Sequence, residues 1–481
     1  MKKVFLVLFS CLLLTAGVLA GCSSNKSDAE AKDGETVKLT WYMVGTPQKD
    51  LNKVVDQINK YTKKEINTTI DLKMIDWGDY DKKMQVVIAS GEPFDIAFTA
   101  SWANNYVLNA RKGAFKELDQ LMDEHGKELK SALDPAFLEG AKIDGKLYAI
   151  PTNKEVGQQS VYVFNKRLVD KYKFDIKNIK SFEDMEPMLQ TIKEKESGIQ
   201  PMTTFTPYVP FDYILDDKMP FAVPLSGENK IINVYETKEM EQTLDTLHKY
   251  YKTGYIKSDA ATSKEPWALD VENWFVRKEL YQPYAENIWS RNAGYELVVQ
   301  PMHESPITFN NSVTGSMQAI SATSKNPEKS MEFLNLLNTD EYLRNLIDKG
   351  IEGEHYEKLD NGRIKDLPAR KNYSMPSFAL GNQFILDLYE EDSDDKWEKF
   401  EEFNNQSSAA PTLGFYFDPK PVRTEIAAIS NVTSEFSQAL LTGSVNPDEY
   451  LPKFNKKLKE AGLDKALDEM NKQYEEWKKK Q

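Results

Sequence analysis

Thiol and imidazole chemistry have little material to work with in this sequence. It contains two cysteines and four histidines, and His125, His248, His303 and His355 stand far from one another and from either cysteine. No H-E-x-x-H, C-x-x-C or G-x-S-x-G pattern occurs, so neither a zinc centre nor a serine triad has a local signature. A G-x-x-x-x-G-K-[ST] phosphate loop is missing as well, so the chain does not energise anything by itself. No aspartates fall into a D-x-[DN]-x-[DN]-G calcium loop. Among 75 acidic residues a pair of glycosidase carboxylates can always be imagined, and spacing identifies none. Positive charge is in the minority, and a net charge of −14 argues against nucleic acid and against direct docking on anionic lipid. Only one apolar run is long, Val4 to Val18, and it falls short of the roughly 20 residues of a membrane-spanning helix. These absences point to a binding protein rather than an enzyme, with no cofactor and no metal.

What is present begins at the N-terminus. Lys2 and Lys3 precede the apolar run, as in a signal peptide. Leu19-Ala20-Gly21-Cys22 resembles the lipobox of bacterial lipoproteins, which implies cleavage before Cys22 and acylation of its sulfur. Two or more acyl chains, at about 0.8 kcal/mol per buried methylene, hold a protein at a bilayer. The expectation is a signal peptide over 1–21, a flexible tether over 22–35, and anchoring to the extracytoplasmic face of a Gram-positive cell membrane. Cys11 would leave with the leader, so no disulfide would remain; Ser23 to Gly34 is polar, small and charged, as a tether needs. Loss of Lys2 and Lys3 would take the net charge from −14 to −16.

About 450 residues follow the tether, too many for one core and suited to two lobes. Val37 to Tyr42 and Ile70 to Met74 read as strands, with helical spacing at Leu51, Val54, Val55, Ile58 and Tyr61 between them. A second helix through Tyr80, Met84, Val87 and Ile88 ends at Gly91 and Pro93, and Asp95 to Thr99 is a short strand. This alternation predicts an α/β fold with a parallel sheet. Phe115 to Leu133 reads as mostly helical, and Asp144-Gly145 as a hairpin turn. A second unit of similar type starts near residue 155, with a strand at Val161 to Phe164, a capping box at Ser181 and Asp184, and a helix over Met240 to Tyr251. Asn326-Pro327 opens a helix with Asn as its cap. Leu463, Ala466, Leu467, Met470, Tyr474 and Trp477 form a terminal stripe expected to pack on the body.

Aromatic residues carry the functional signal: eight Trp, 23 Tyr and 23 Phe, many at strand ends or in polar loops. Trp102 lies just beyond the strand that ends near Thr99, at the carboxyl edge of the sheet, where ligands of open α/β sheets sit. A pyranose offers an apolar C–H face to an indole and a rim of hydroxyls to amides and carboxylates. Trp102 beside Ser101 and Asn104 supplies both; the other reading makes Trp102 an ordinary cap of the sheet. The same mixture occurs around Glu155 and Gln158, around Tyr284 and Trp289, and at Phe415-Tyr416, and it extends the candidate ligand set to Tyr42 and Tyr208. Arg291 and Arg423 could clamp a uronate, though surface or intralobe pairing suits each better.

Gly145-Lys146-Leu147-Tyr148-Ala149-Ile150-Pro151 and Asn326-Pro327 to Thr339-Asp340 resemble the extracellular solute-binding proteins (family 1) of ABC importers. Gly350-Ile351-Glu352-Gly353-Glu354-His355-Tyr356, Gly414-Phe415-Tyr416-Phe417-Asp418 and Leu451 to Gly462 resemble the oligosaccharide-binding lipoprotein subgroup with a distinctive C-terminal domain. The resemblance implies a two-lobe, type II periplasmic-binding-protein-like fold with the ligand cleft between lobes. It places the N-terminal lobe at 36–153 plus 316–372 and the C-terminal lobe at 154–315 plus 373–481. It also implies a monomer that hands an oligosaccharide to ABC permease subunits, and it adds weight to Trp289, Phe415 and Tyr416 as sugar contacts. The calcium loop of alginate-binding relatives has no counterpart near 170–190. Two alternatives stay open: an extracellular carbohydrate-active enzyme, and a ligand-sensing lipoprotein that signals to a membrane receptor kinase.

Overall fold

The structure, a computed structural model, describes residues 34–179, 181–205, 208–263 and 267–480. The expectations for residues 1–33, Cys11 and Cys22 among them, lie outside the described residues. Strands Val37–Val44 and Thr68–Ile75 pair in parallel over their whole length, Val37 opposite Thr68 through Val44 opposite Ile75. The helix between them, Leu51–Ile66, buries Val54, Ile58 and Thr62, one per turn, and stops at Asn67, whose left-handed φ of 50° breaks the helical run. Tyr80–Ser90 ends the same way on Gly91, and strand Ile96–Thr99 follows.

The remainder of this first sheet departs from the parallel expectation. Its order is Thr68–Ile75, Val37–Val44, Ile96–Thr99, Met317–Ile320, Ala149–Pro151, and Met317–Ile320 runs antiparallel to both neighbours. That strand is buried on both faces, so it shows no alternation to read. At the expected hairpin, Asp144 (φ 53°) and Gly145 (φ 83°) make the tight turn that bridges Ile143 to Lys146. Helix Pro327–Thr339 begins with proline as expected, but the Asn326 side chain makes no cap bond; Ser324 Oγ instead accepts from the Asn326 N–H at 3.1 Å.

A second sheet has the order Leu297–Pro301, Gln159–Asn165, Trp274–Tyr281, Gln200–Met202. It is not the parallel unit expected near residue 155. Both partners of Gln159–Asn165 run antiparallel to it, and Trp274–Tyr281 pairs in parallel with Gln200–Met202 after the long excursion that separates them. Ser181 and Asp184 make one half of the expected capping box, the Ser181 N–H donating to Asp184 Oδ2 at 2.8 Å. The terminal stripe packs inward: Leu463, Ala466, Met470 and Tyr474 of helix Leu463–Lys478 join the core of this lobe.

Each sheet has its own core. One runs from Leu39 to Leu380, and the other from Tyr162 to Tyr474 with no sheet residue of the first. The chain passes between the two lobes around residues 152–158, 302–316 and 380–410. These passes are tied to one another: Gln158 and Ile307 exchange backbone bonds at 2.8 and 2.9 Å, and Ile307–Thr308 pairs in parallel with Ser408–Ala409. A strap, residues 411–418, spans both lobes. Phe415 packs on Tyr474 and Trp477 of the second lobe, while Arg111 of the first donates to the carbonyls of Phe417 (2.9 Å) and Tyr416 (2.5 Å).

Candidate functional site

Three aromatic rings form a platform at the carboxyl edge of the first sheet. Trp77 follows strand Thr68–Ile75, Trp102 follows Ile96–Thr99, and Phe378 sits in the short turn Ser377–Ala379. Ring centroids are 6.1 Å apart for Trp77 and Trp102, and 6.2 Å for Trp77 and Phe378, with planes inclined by 24° and 20°. Trp77 is 45% and Trp102 49% exposed, an unusual cost for two indoles unless something covers them. The reading of Trp102 as a buried cap is thereby set aside.

The platform is fixed from below. The Trp102 indole N–H donates to the Gly315 carbonyl at 2.8 Å, which ties the ring to a pass between lobes. The turn that carries Phe378 is held by three side chains. Ser316 Oγ donates to the Phe378 carbonyl (2.6 Å), Gln318 Nε2 to Ala379 (2.7 Å), and Arg344 to Ser377 (3.0 Å) and Asn382 (2.9 Å). Arg344 and Asp348 are themselves fully buried, 2.9 Å apart, with Lys349 at 3.0 Å from the other carboxylate oxygen. Burial opposes ionisation of Asp348, but the Lys349 and Arg344 cations outweigh it and hold the carboxyl far below its ordinary range.

Gly315 and Phe378 also line a cavity of about 230 Å³ between the lobes. Its floor is the first pass, with Glu155 and Gln158, and its far wall is Leu280, Tyr281 and Gln282 of the second lobe. Glu155 pairs with Lys154 at 3.2 Å, and Gln158 Nε2 donates to Asn311 Oδ1 at 3.2 Å. Within the cavity the Phe378 ring meets amides, a carboxylate and a phenol, and the two indoles continue the apolar surface beside Phe378.

Of the residues expected from sequence, Ser101 and Trp102 lie exposed at the platform, and Glu155 and Gln158 line the cleft. Tyr284 borders a neighbouring cavity, with its hydroxyl bonded to Asp395. Tyr208 stacks on His303, rings 4.9 Å apart. Tyr208 lines neither cavity, and five further residues are elsewhere. Tyr42 is 3% exposed, its hydroxyl donating to Glu92 at 3.0 Å; burial and that carboxylate push it up to about 12. Asn104, at φ 46°, is buried because its amide closes the turn by donating to the Phe98 carbonyl at 2.9 Å. Phe415 is enclosed by Tyr474 and Trp477, and the Tyr416 hydroxyl donates to the Gly140 carbonyl at 2.5 Å, so both serve the strap. Trp289 packs against Val161, Val163 and Trp274 and lines neither cavity.

Trp77 and Phe378 are not among the residues the sequence points to, whereas Tyr281 belongs to the aromatic–amide cluster around Tyr284 and lines the cleft. Trp77 was open to the same reasoning as Trp102, since Asp76-Trp77-Gly78 directly follows a strand. Phe378 had no such mark, because its position depends on contacts more than 30 residues away in sequence.

Asp50, Glu354 and His355 place one potential ligand atom each within 4.8 Å of one another. However, His355 Nδ1 accepts the Ile351 N–H at 2.9 Å, so the neutral ring carries its proton on Nε2, facing Asp50 at 3.4 Å. Glu354 is paired with Lys53. The nitrogen turned to the carboxylates is a donor, which suits a structural bond and not a cation.

Comparison with known proteins places these features in context. Residues 56–350 match the family described as bacterial extracellular solute-binding protein, and residues 411–479 match a domain of unknown function, DUF3502. A carbohydrate ABC transporter substrate-binding protein of Streptococcus pneumoniae is 37% identical over 489 residues, covering 99% of each chain. The crystal structure of the N-glycan transport solute binding protein NgtS from S. pneumoniae matches with a TM-score of 0.84 at 38% identity, covering 92% of this chain and 98% of that one. For NgtS in complex with Man5GlcNAc the TM-score is 0.70, at 38% identity and 92% and 99% coverage.

Proposed function

The chain belongs to the bacterial extracellular solute-binding protein family, and from that premise we propose that it captures an oligosaccharide between its lobes and delivers it to an ABC permease. The observation that carries this reading is the exposed Trp77–Trp102–Phe378 platform, which borders the cleft through Phe378 and through Gly315, the partner of the Trp102 indole; Glu155, Gln158 and Tyr281 line the same cleft. Rings cover the C–H faces of a pyranose, and the amide and carboxylate groups take its hydroxyls. Groups on both lobes touch the ligand together only when the lobes close, so bound sugar favours the closed arrangement by that difference in contacts.

The finer reading is that the sugar derives from an N-glycan, built of mannose and N-acetylglucosamine; kinship with NgtS at 38% identity over most of both chains supports it. The protein acts as a monomer, held at the outer face of the cell membrane through acylated Cys22, and leaves its ligand chemically unchanged. Titration of Man1GlcNAc, Man5GlcNAc and maltooligosaccharides against the chain from Ser23, with thermal unfolding alongside, tests this. Ligand at 100 times its dissociation constant should add about 2.7 kcal/mol of stability. Preference for maltooligosaccharides would refute the N-glycan reading, and shortened glycans recovered after incubation would refute the non-enzymatic one.

A further inference from the structure

A second cavity, of about 380 Å³, adjoins the interlobe cavity, and Tyr281 lines both. Taken alone, the 230 Å³ space is smaller than the roughly 300–1,000 Å³ usual for small-molecule sites, whereas the two joined fall well within that range. The second chamber is bordered by Tyr284, Glu286 and Asn287 on one side and by Lys399, Phe403 and Gln406 on the other. The first group opens helix Ala285–Ala293 of the second lobe; the last group lies on or just past helix Lys396–Asn405, in the third pass between lobes.

Two details show that these walls are held in place. Tyr284 keeps a left-handed φ of 64°, a backbone state rare for a bulky side chain, and its hydroxyl is anchored on Asp395. Gly157 lets the first pass approach the helix: a Cβ there would stand 2.9 Å from Pro306 and 3.3 Å from Phe403. Phe403 thereby meets Tyr281 with ring centroids 6.0 Å apart, which joins the chamber wall to the cleft wall.

We propose that this chamber is a second carbohydrate subsite, which takes a neutral hexose arm of a larger glycan whose inner residues lie on the tryptophan platform. The proposal rests on the oligosaccharide reading above. Ring faces at Tyr281, Tyr284 and Phe403 with amides at Asn287 and Gln406 repeat the chemistry of the main cleft. The charges select against acidic arms. Lys399 is already paired with Glu402 at 2.6 Å, and Glu286 leaves the chamber with an acidic excess. A mannosyl arm fits, and an arm capped by a carboxylate does not.

The test is titration calorimetry of the chain from Ser23 with Man1GlcNAc and with Man5GlcNAc. Gln406→Trp, an exposed position, fills the chamber, and Asn287→Ala removes one amide. Man5GlcNAc should bind the unaltered chain more tightly, and Gln406→Trp should cost it tenfold or more while Man1GlcNAc stays within twofold. Asn287→Ala should shift Man5GlcNAc alone, by a smaller factor. If both glycans bind but Man5GlcNAc gains nothing, or the variants weaken both alike, the chamber is not a subsite and the platform reading stands. If neither glycan binds the unaltered chain, the subsite falls together with the N-glycan reading, and oligosaccharide capture at the platform falls as well only if maltooligosaccharides also fail to bind.

Discussion

Trp102→Ala should weaken binding of the glycan about tenfold while leaving the ligand-free fold nearly intact. An aromatic side chain buries about 150–250 Å² when fully covered, and 49% of Trp102 is open to solvent. A sugar that covers one face of the open part would remove roughly 60 Å² of apolar surface. At about 25 cal/mol per Å² this is ~1.5 kcal/mol, or about tenfold in dissociation constant, and complete coverage would double the energy. The ligand-free cost is smaller than for a core tryptophan, because what is lost is the indole bond to Gly315 and ring contacts with Trp77, Phe98 and Phe378 on a side chain that is already half exposed. One neutral hydrogen bond contributes about 0.5–1.5 kcal/mol. Calorimetric titration gives the first quantity and urea unfolding without ligand the second. Trp102→Phe should recover most of the affinity, since it restores a ring but not the bond to Gly315. Unchanged affinity in Trp102→Ala would refute the stacking argument. So would a loss of about 3–5 kcal/mol of ligand-free stability, the signature of a buried tryptophan.

Three further outcomes follow from other parts of the molecule. Asp348→Asn leaves the buried Arg344 cation without its carboxylate and should cost about 3–5 kcal/mol in urea unfolding at neutral pH. Because the folded carboxyl titrates below its unfolded value of about 3.9, its stabilisation is present above that pH and is lost as pH falls beneath it. The unaltered chain should therefore lose stability below about pH 4 more steeply than Asp348→Asn does, and parallel curves would show that the pair contributes nothing. Arg111→Ala removes the guanidinium that bonds the Tyr416 and Phe417 carbonyls and should cost about 1.5–3 kcal/mol in the same assay; equal stability would mean that the strap is held by its aromatic packing alone. Cys22→Ser should move the protein from the membrane fraction to the medium, read by fractionation and by loss of palmitate labelling, and continued membrane association would refute acylation at that residue.

The first lobe was largely legible because its early elements announce themselves locally. Val54 and Ile58 keep helical spacing, Gly91 ends a helix in the left-handed region, and Asp144-Gly145 turns a hairpin. Met317–Ile320 was not legible, since a strand buried on both faces has no period and its partners are distant in sequence. The direction of the second sheet was hidden for a related reason: Gln159–Asn165 is buried throughout, and nothing local tells whether its neighbours run with or against it. In the site, Trp102 could be placed from the end of its strand. Tyr42 does not end its strand but lies inside Val37–Val44, and its hydroxyl turns to Glu92 away from the cleft, a contact no local pattern marks. Phe415 and Tyr416 have a sugar-binding composition but serve the strap, a use that depends on Arg111 and Gly140, 305 and 276 residues before Tyr416.

The insertion of Met317–Ile320 between Ile96–Thr99 and Ala149–Pro151 sets a schedule for the nascent polypeptide. Until residue 320 has emerged, Ala149–Pro151 has no partner in the sheet and the outer edge of Ile96–Thr99 stays open. At about 5–20 residues per second, synthesis from Pro151 to Met317 occupies roughly ten to thirty seconds. Throughout that interval the first sheet stays two strands short of completion. A chain that postpones its own closure remains slack enough to be threaded across a membrane before it becomes rigid, which is the order of events that an extracellular protein requires.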